Sequence, residues 1–174
     1  MKVSCAVLGL LTMLCVGCGQ SVAPAGPSPA GSGIPSSQSQ PAETPFKGDL
    51  EGSQTLTPLD PPFGHIAGQA TGNATHLGRF TVQFPHTVNF ATSIGVGTYT
   101  FIAANGDTLT ADFTGQAQPA PITSIVERAV ITGGTGRFAG ATGSFTVRRL
   151  FDRGAGTTTG SFVGTISTAN GPAS

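Results

Sequence analysis

Apolar and polar residues alternate along most of the chain beyond residue 46, which is the pattern of half-buried β-strands. Phe80, Val82 and Phe84, for example, alternate with Thr81 and Gln83, and successive side chains of a strand point to opposite faces of its sheet. No window has the i, i+3, i+4, i+7 spacing of an amphipathic helix. The alternation and the turn residues between runs predict strands at 47–57, 64–71, 78–84, 87–92, 96–103, 107–117, 122–132, 143–151 and 158–167.

Turn residues between these runs favour antiparallel hairpins. Asn105-Gly106-Asp107 is a strong tight-turn signal, because Asn-Gly tolerates the positive φ that such a turn requires. The sequence therefore predicts one all-β domain over residues 46–170. An eight-stranded antiparallel closed barrel is the preferred architecture, since closure removes exposed strand edges. A two-sheet sandwich is the alternative.

Charge is scarce and balanced in this chain. Its 174 residues include 8 Lys and Arg and 8 Asp and Glu, for a formal net charge of zero. Binding to the phosphate backbone requires clustered positive charge, so no nucleic-acid partner is expected. The 26 glycines suit the turns and bulges of a β-protein.

The first seventeen residues, 1–17, have the pattern of an export signal. One lysine precedes an apolar run over residues 3–16, which is short for a membrane span. The end of this segment resembles the bacterial lipobox, in which a cysteine, here Cys18, is acylated and becomes the new N-terminus. Cys15 stands where leucine is usual in that motif. A conventional signal peptide cut a few residues later is the alternative.

The segment 18–45 is rich in proline, serine, glycine and alanine. This composition cannot bury enough apolar surface to fold, so it predicts a disordered tether. With a lipid on Cys18, the tether would hold a globular head at the bacterial cell envelope, and Gly19 favours the outer membrane. The membrane is then a partner through the lipid. Without acylation the segment would be only a disordered leader.

The string ITGGTGRFAGATGSFTV, residues 131–147, contains a match to the G-x-G-x-x-A fingerprint of dinucleotide-binding folds. Asp152 lies near the position of the ribose-binding acid. That fingerprint must open a helix, however, and residues 141–147 have the pattern of a strand instead. No nucleotide cofactor is expected, and the glycines require another explanation.

The part GGTGRFAGATG, residues 133–143, resembles a turn of the dirigent proteins, whose eight-stranded antiparallel barrel is shared with the allene oxide cyclases. The residues that match are Gly133, Gly134, Gly136, Phe138 and Gly143, together with Ala141. The resemblance implies a barrel in which the glycines adopt angles closed to other residues and Phe138 fits under one barrel end. With residues 75–80, the chain also resembles bacterial secreted proteins of this barrel type. No catalytic residue is carried over.

Glu127 and Arg149 are the candidate polar pair of the barrel. Each stands among apolar residues that share its strand face, and the two predicted strands are joined by the glycine turn. If these strands are neighbours, the two charges could meet inside the barrel. A buried pair could orient a ligand or tune a carboxylate for acid–base chemistry. One alternative is that the pair is only structural. Another is that it lies on the outer face of the barrel, because the opposite faces of these strands are also apolar.

Other chemistry has little support in the sequence. His65, His76 and His86 lack the paired spacing of metal ligands, so no metal site is expected. No G-x-S-x-G nucleophile elbow occurs, and all three cysteines precede residue 19. Catalytic residues are therefore unknown.

Three functions remain open at this stage. The preferred hypothesis is a non-enzymatic, membrane-tethered lipoprotein whose barrel binds a small apolar ligand or an envelope partner. An isomerase or cyclase of the allene oxide cyclase type, acting on an apolar substrate, is the second. A purely structural envelope protein with a filled barrel is the third. The sequence leaves open whether the protein forms a homo-oligomer.

Overall fold

The structure, a computed structural model, describes residues 42–118 and 122–168, and these residues form nine β-strands. Their alternating burial matches the alternation in the sequence, because apolar side chains of each strand face one interior. The strands are β1 (Thr44–Pro58), β2 (Phe63–Ala74), β3 (Gly78–Gln83), β4 (His86–Asn89), β5 (Ile94–Ala103), β6 (Thr108–Gln118), β7 (Ile122–Gly134), β8 (Thr142–Asp152) and β9 (Thr157–Ser167).

The nine strands close into a barrel with eight strand positions. Neighbours are antiparallel, and β1 closes the sheet by pairing with both β2 and β9. β3 and β4 share one position, because both pair with β2 on one side and with β5 on the other. Pro85 lies between them and has no N–H to donate, so the chain interrupts this ladder there. The predicted all-β, eight-stranded antiparallel barrel is confirmed.

Observed strand ends differ from the predicted ones by a few residues. On the short strand β4 the predicted and observed C-terminal ends differ: the prediction continued to residue 92, whereas the strand ends at Asn89. The Asn89 side chain accepts hydrogen bonds from the backbone N–H groups of Ala91 (2.9 Å) and Thr92 (3.3 Å). This local turn competes with the strand ladder and ends it.

Aromatic rings fill the middle of the barrel. Phe46, Phe101, Phe145 and Phe162 pack against one another with ring centroids 5.0–6.3 Å apart, in the range of favourable aromatic pairs. All four side chains are buried. This part of the interior is therefore a packed core.

The glycine turn closes one end of the barrel. A short 3₁₀ helix, Gly136–Phe138, follows β7, and the Phe138 side chain is buried. Gly136 has a φ of +57°. Gly133 and Gly134 were predicted in the turn, but the structure places them in β7, where the pairing with β6 shifts by one residue. The shift leaves Thr132 unpaired in this ladder as a bulge, and the adjacent Gly133 has a φ of +137°.

The predicted signal segment 1–17, Cys18 and most of the predicted tether lie outside the described residues. The predicted domain 46–170 lies within them except for residues 119–121 and the last two. Over residues 42–118 and 122–168, no helix is long and apolar enough to cross a membrane.

Candidate functional site

The structure places Glu127 and Arg149 in direct contact inside the barrel. Glu127 on β7 pairs with Val147 on β8, and Arg149 pairs with Ile125, so the two side chains are diagonal neighbours on the inner face. The Arg149 Nη2 donates to Glu127 Oε1 at 2.7 Å and Nε donates to Oε2 at 2.9 Å. Glu127 is 1% exposed and Arg149 3%. This is a buried, bidentate ion pair.

Two further side chains extend the pair into a buried polar cluster. The Tyr99 hydroxyl donates to Glu127 Oε2 at 2.5 Å, and Arg149 Nη1 donates to Gln54 Oε1 at 2.8 Å. The Arg149 guanidinium also lies 5.1 Å from the centre of the Phe84 ring, within reach of a cation–π contact. In the described residues, every buried side-chain nitrogen or oxygen has a hydrogen-bond partner.

The cluster keeps fixed protonation states. Burial, together with the negative charge of Glu127, raises the pKa of Tyr99 well above its usual value, so the hydroxyl remains a donor. Burial alone would lower the pKa of Arg149, but hydrogen bonds and charge from Glu127 outweigh burial and raise it. Arg149 therefore remains a cation that balances Glu127.

A cavity of about 340 Å³ opens at the barrel mouth, the end opposite the glycine turn. Its volume lies at the small end of the range for ligand sites. The large apolar side chains that line it are Leu56, Ile66, Val88, Phe90, Ile125 and Phe151. The polar side chains on its wall are Gln54, His86, Thr123 and Arg153. Gln54 connects this cavity with the buried cluster, because its side chain also bonds Arg149.

His86 is the buried titratable residue of the cavity. Its Nδ1 lies 2.9 Å from the Phe84 carbonyl oxygen, which can only accept, so Nδ1 carries the proton. Burial lowers the pKa of His86, and the nearby Arg149 cation acts in the same direction. The neutral ring then has an acceptor at Nε2. This atom bonds no described residue, and the His86 side chain lines the cavity.

Apolar side chains surround the mouth. Leu56 and Phe90 line the cavity and are also about half exposed. Leu59, Phe63 and Ile94, which are 40–46% exposed, lie on neighbouring strand ends or on the hairpin between β1 and β2. An apolar rim of this kind favours contact with the apolar part of a ligand.

A larger concavity, of about 670 Å³, lies on the outer wall over β1, β2, β3 and β5. Its lining includes Asp49, Glu51, Asn73 and Arg79, whose side chains face solvent. No member of the buried cluster reaches it. The mouth cavity is therefore the better candidate for a binding site, although it is smaller.

His65 and His86 lie on the paired strands β2 and β4. His86 lines the mouth cavity, whereas His65 is half-buried on β2. His76 follows β2 with a φ of +65°, and its Nε2 lies 3.1 Å from the Thr44 hydroxyl. Within residues 42–118 and 122–168, no group of three or more His, Cys, Asp or Glu could hold a metal ion.

Sequence reasoning did not find four of the residues at this site. Tyr99, Gln54, His86 and Arg153 come from four different strands or turns, and only barrel closure brings them together. One signal was available for Tyr99. It is the chain's single tyrosine and alternates with Phe101 on the same strand face, so its hydroxyl needs an internal partner.

No family model matches the chain, and no curated protein matches its sequence. Among solved structures, the barrel is similar to that of a pterocarpan synthase dirigent protein, GePTS1. The TM-score is 0.55 at 15% sequence identity, and the match covers 74% of this chain and 92% of the dirigent protein. At this identity the similarity concerns the fold. The chain is thus an eight-stranded antiparallel barrel of the dirigent type.

Proposed function

We propose that the protein is a non-enzymatic binding protein that holds a small, largely apolar molecule in the mouth of its barrel. The observation that carries this proposal is the cavity of about 340 Å³, which has apolar walls and an apolar rim. An eight-stranded barrel has room for packed side chains or for one small ligand. Here aromatic rings fill the middle and the mouth remains open.

The polar residues below the cavity favour binding over chemistry. Glu127, Arg149 and Tyr99 bond one another, so none of them has to find a partner on a ligand. His86 differs, because it lines the cavity and its Nε2 acceptor has no hydrogen-bond partner among the described residues. A ligand hydroxyl or N–H that reaches Nε2 would gain a hydrogen bond in an apolar setting, where an unpaired group is costly. The cluster positions Gln54, and His86 orients the ligand.

Blocking the cavity is expected to abolish binding of an apolar probe. Ile125→Trp places a large ring in the cavity, whereas Val130→Trp, on the same strand, places it on the outer surface, where Val130 is 61% exposed. N-phenyl-1-naphthylamine fluorescence measures the affinity. We expect at least a roughly tenfold loss for Ile125→Trp and none for Val130→Trp.

Thermal unfolding of each variant shows whether the barrel is intact. Ile66→Trp, on another wall of the cavity, replaces Ile125→Trp if that variant does not fold. Equal probe affinity in the wild type and in a folded, blocked variant would show that the mouth is not the binding site.

The second part of the proposal is that the barrel is tethered to the cell envelope through Cys18. The lipobox-like end of segment 1–17 and the composition of segment 18–45 support it. In the structure, β1 begins at Thr44 and reaches the mouth with Gln54 and Leu56. The chain therefore enters the barrel at the end opposite the mouth.

Acylation of Cys18 is expected to decide where the protein partitions. In detergent phase separation of bacterial extracts, the wild type should enter the detergent phase and the Cys18→Ser protein the aqueous phase. A lipid chain contributes about 0.8 kcal/mol per buried CH₂, which is ample for this shift. If both proteins stay in the aqueous phase, the anchor is absent.

A further inference from the structure

The mouth cavity carries one permanent charge. Arg153, on the turn after β8, is the only side chain on the cavity lining, as the structure describes it, that is ionised at neutral pH. His86 also lines the cavity and is neutral. Among the described residues no carboxylate lines it, and Glu127 below is balanced by Arg149. An apolar cavity with one cation at its edge has the electrostatics of a site for an apolar anion.

The Arg153 side chain is held in place at the cavity edge. Its Nε donates to the Thr123 hydroxyl at 3.1 Å, and Thr123 is a buried residue of β7 that also lines the cavity. This bond uses one of the five N–H donors of the guanidinium. Neither terminal nitrogen bonds a residue that the structure describes, so the planar Nη1–Nη2 end of the fork remains available.

The nearest carboxylate in the chain forms no ion pair with Arg153. Asp152 precedes Arg153, but its Oδ1 accepts hydrogen bonds from the backbone N–H groups of Gly154 (2.8 Å) and Ala155 (3.1 Å). Over residues 42–118 and 122–168, the ion pairs are Arg137 with Asp107 and Arg149 with Glu127. Arg153 thus faces the cavity without an acidic partner among these residues.

We propose that the natural ligand is an apolar molecule with one anionic group, a carboxylate or a sulfonate, which the terminal nitrogens of Arg153 bind at the cavity edge. This inference rests on the proposed binding function. It adds an orientation, because the anionic group stays at the exposed rim while the apolar body lies against Ile66, Val88 and Ile125. A guanidinium fork matches the two oxygens of such a group, and leaving the charge at the rim avoids the cost of burying it.

Two fluorescent probes with the same ring skeleton test the inference. 8-Anilinonaphthalene-1-sulfonate carries an anionic group and N-phenyl-1-naphthylamine does not. Both are titrated into the full chain with Cys18→Ser, which removes the proposed lipid and the need for detergent. Arg153→Gln is expected to weaken binding of the sulfonate probe roughly fivefold, the upper range for an exposed ion pair. Affinity for the neutral probe should change by less than about twofold.

Arg128→Gln is the matched control, because Arg128 is an exposed arginine of β7 on the outer face. It should leave both affinities unchanged. Added salt should weaken the sulfonate probe in the wild type and have less effect in Arg153→Gln, since salt screens an exposed charge. The inference is overturned if Arg153→Gln leaves sulfonate affinity unchanged or weakens both probes alike. Failure of the neutral probe to bind the wild type would instead contradict the proposed binding function.

Discussion

The Glu127→Leu protein is expected to lose about 3–5 kcal/mol of unfolding free energy, because the change leaves the Arg149 guanidinium buried without its carboxylate. Arg149→Leu should lose a similar amount, since Glu127 then keeps only the Tyr99 hydroxyl as a partner. Urea unfolding of each variant, followed by fluorescence or circular dichroism, gives these free energies.

Replacing both residues should cost much less than the sum of the two single changes. The double variant Glu127→Leu with Arg149→Leu buries no unpaired charge, and of the cluster's polar side chains only those of Tyr99 and Gln54 remain. A double-mutant cycle then yields a coupling energy of about 3 kcal/mol or more. Such a coupling would also favour a structural role for the pair.

The matched control is the outer-face arginine Arg148, which neighbours Arg149 in sequence but is exposed. Arg148→Leu should change the unfolding free energy by no more than about 0.5 kcal/mol. A coupling near zero between Glu127 and Arg149 would contradict the buried pair. Unchanged stability of Glu127→Leu with loss of probe binding would instead assign the pair to the ligand.

The Gly143→Ala protein is expected to lose about 2–6 kcal/mol of unfolding free energy, the sum of two effects that each cost about 1–3 kcal/mol. The first is backbone strain, since Gly143 lies at the start of β8 with a φ of +134°, which residues other than glycine rarely adopt. The second is the forced separation of two strands, because a Cβ on Gly143 would overlap the Thr165 carbonyl oxygen on β9. Urea unfolding measures the loss.

Gly140→Ala separates the two causes. Gly140 also has a positive φ, +69°, but no atom lies within 4 Å of the position that an alanine methyl group would occupy there. Its substitution should therefore cost only the backbone strain, about 1–2 kcal/mol. Equal losses at Gly140 and Gly143 would show that the close approach of β8 to β9 does not constrain the sequence.

Gly136→Val tests the turn itself. Gly136 has a φ of +57°, and a Cβ there would overlap the Asp107 carboxylate, which lies 3.3 Å from the Arg137 backbone nitrogen as its hydrogen-bond acceptor. Valine should cost roughly 1–3 kcal/mol of unfolding free energy. No loss on urea unfolding would show that the left-handed conformation is not required.

The sequence by itself determined the strands and much of the architecture. Alternation with a period of two follows from strand geometry, so it located nine strand segments within a few residues of their observed ends. The glycine string predicted the barrel through its resemblance to a dirigent turn, and Gly136 and Gly143 adopt the positive φ for which glycine is suited. The alternation also indicated that Glu127 and Arg149 each lie on the same strand face as apolar neighbours, without showing whether that face points inward or outward.

Only the tertiary structure decided which face is inside. Val126 and Val130 make the outer face of β7 apolar as well, so alternation alone could not place Glu127. Closure of the barrel buried the face that carries Glu127, where this residue bonds both Arg149 and Tyr99. A buried carboxylate requires such partners. The mouth site was likewise beyond the sequence. Its polar residues lie far apart along the chain, and strand register, which depends on packing across the whole barrel, brings them to one cavity.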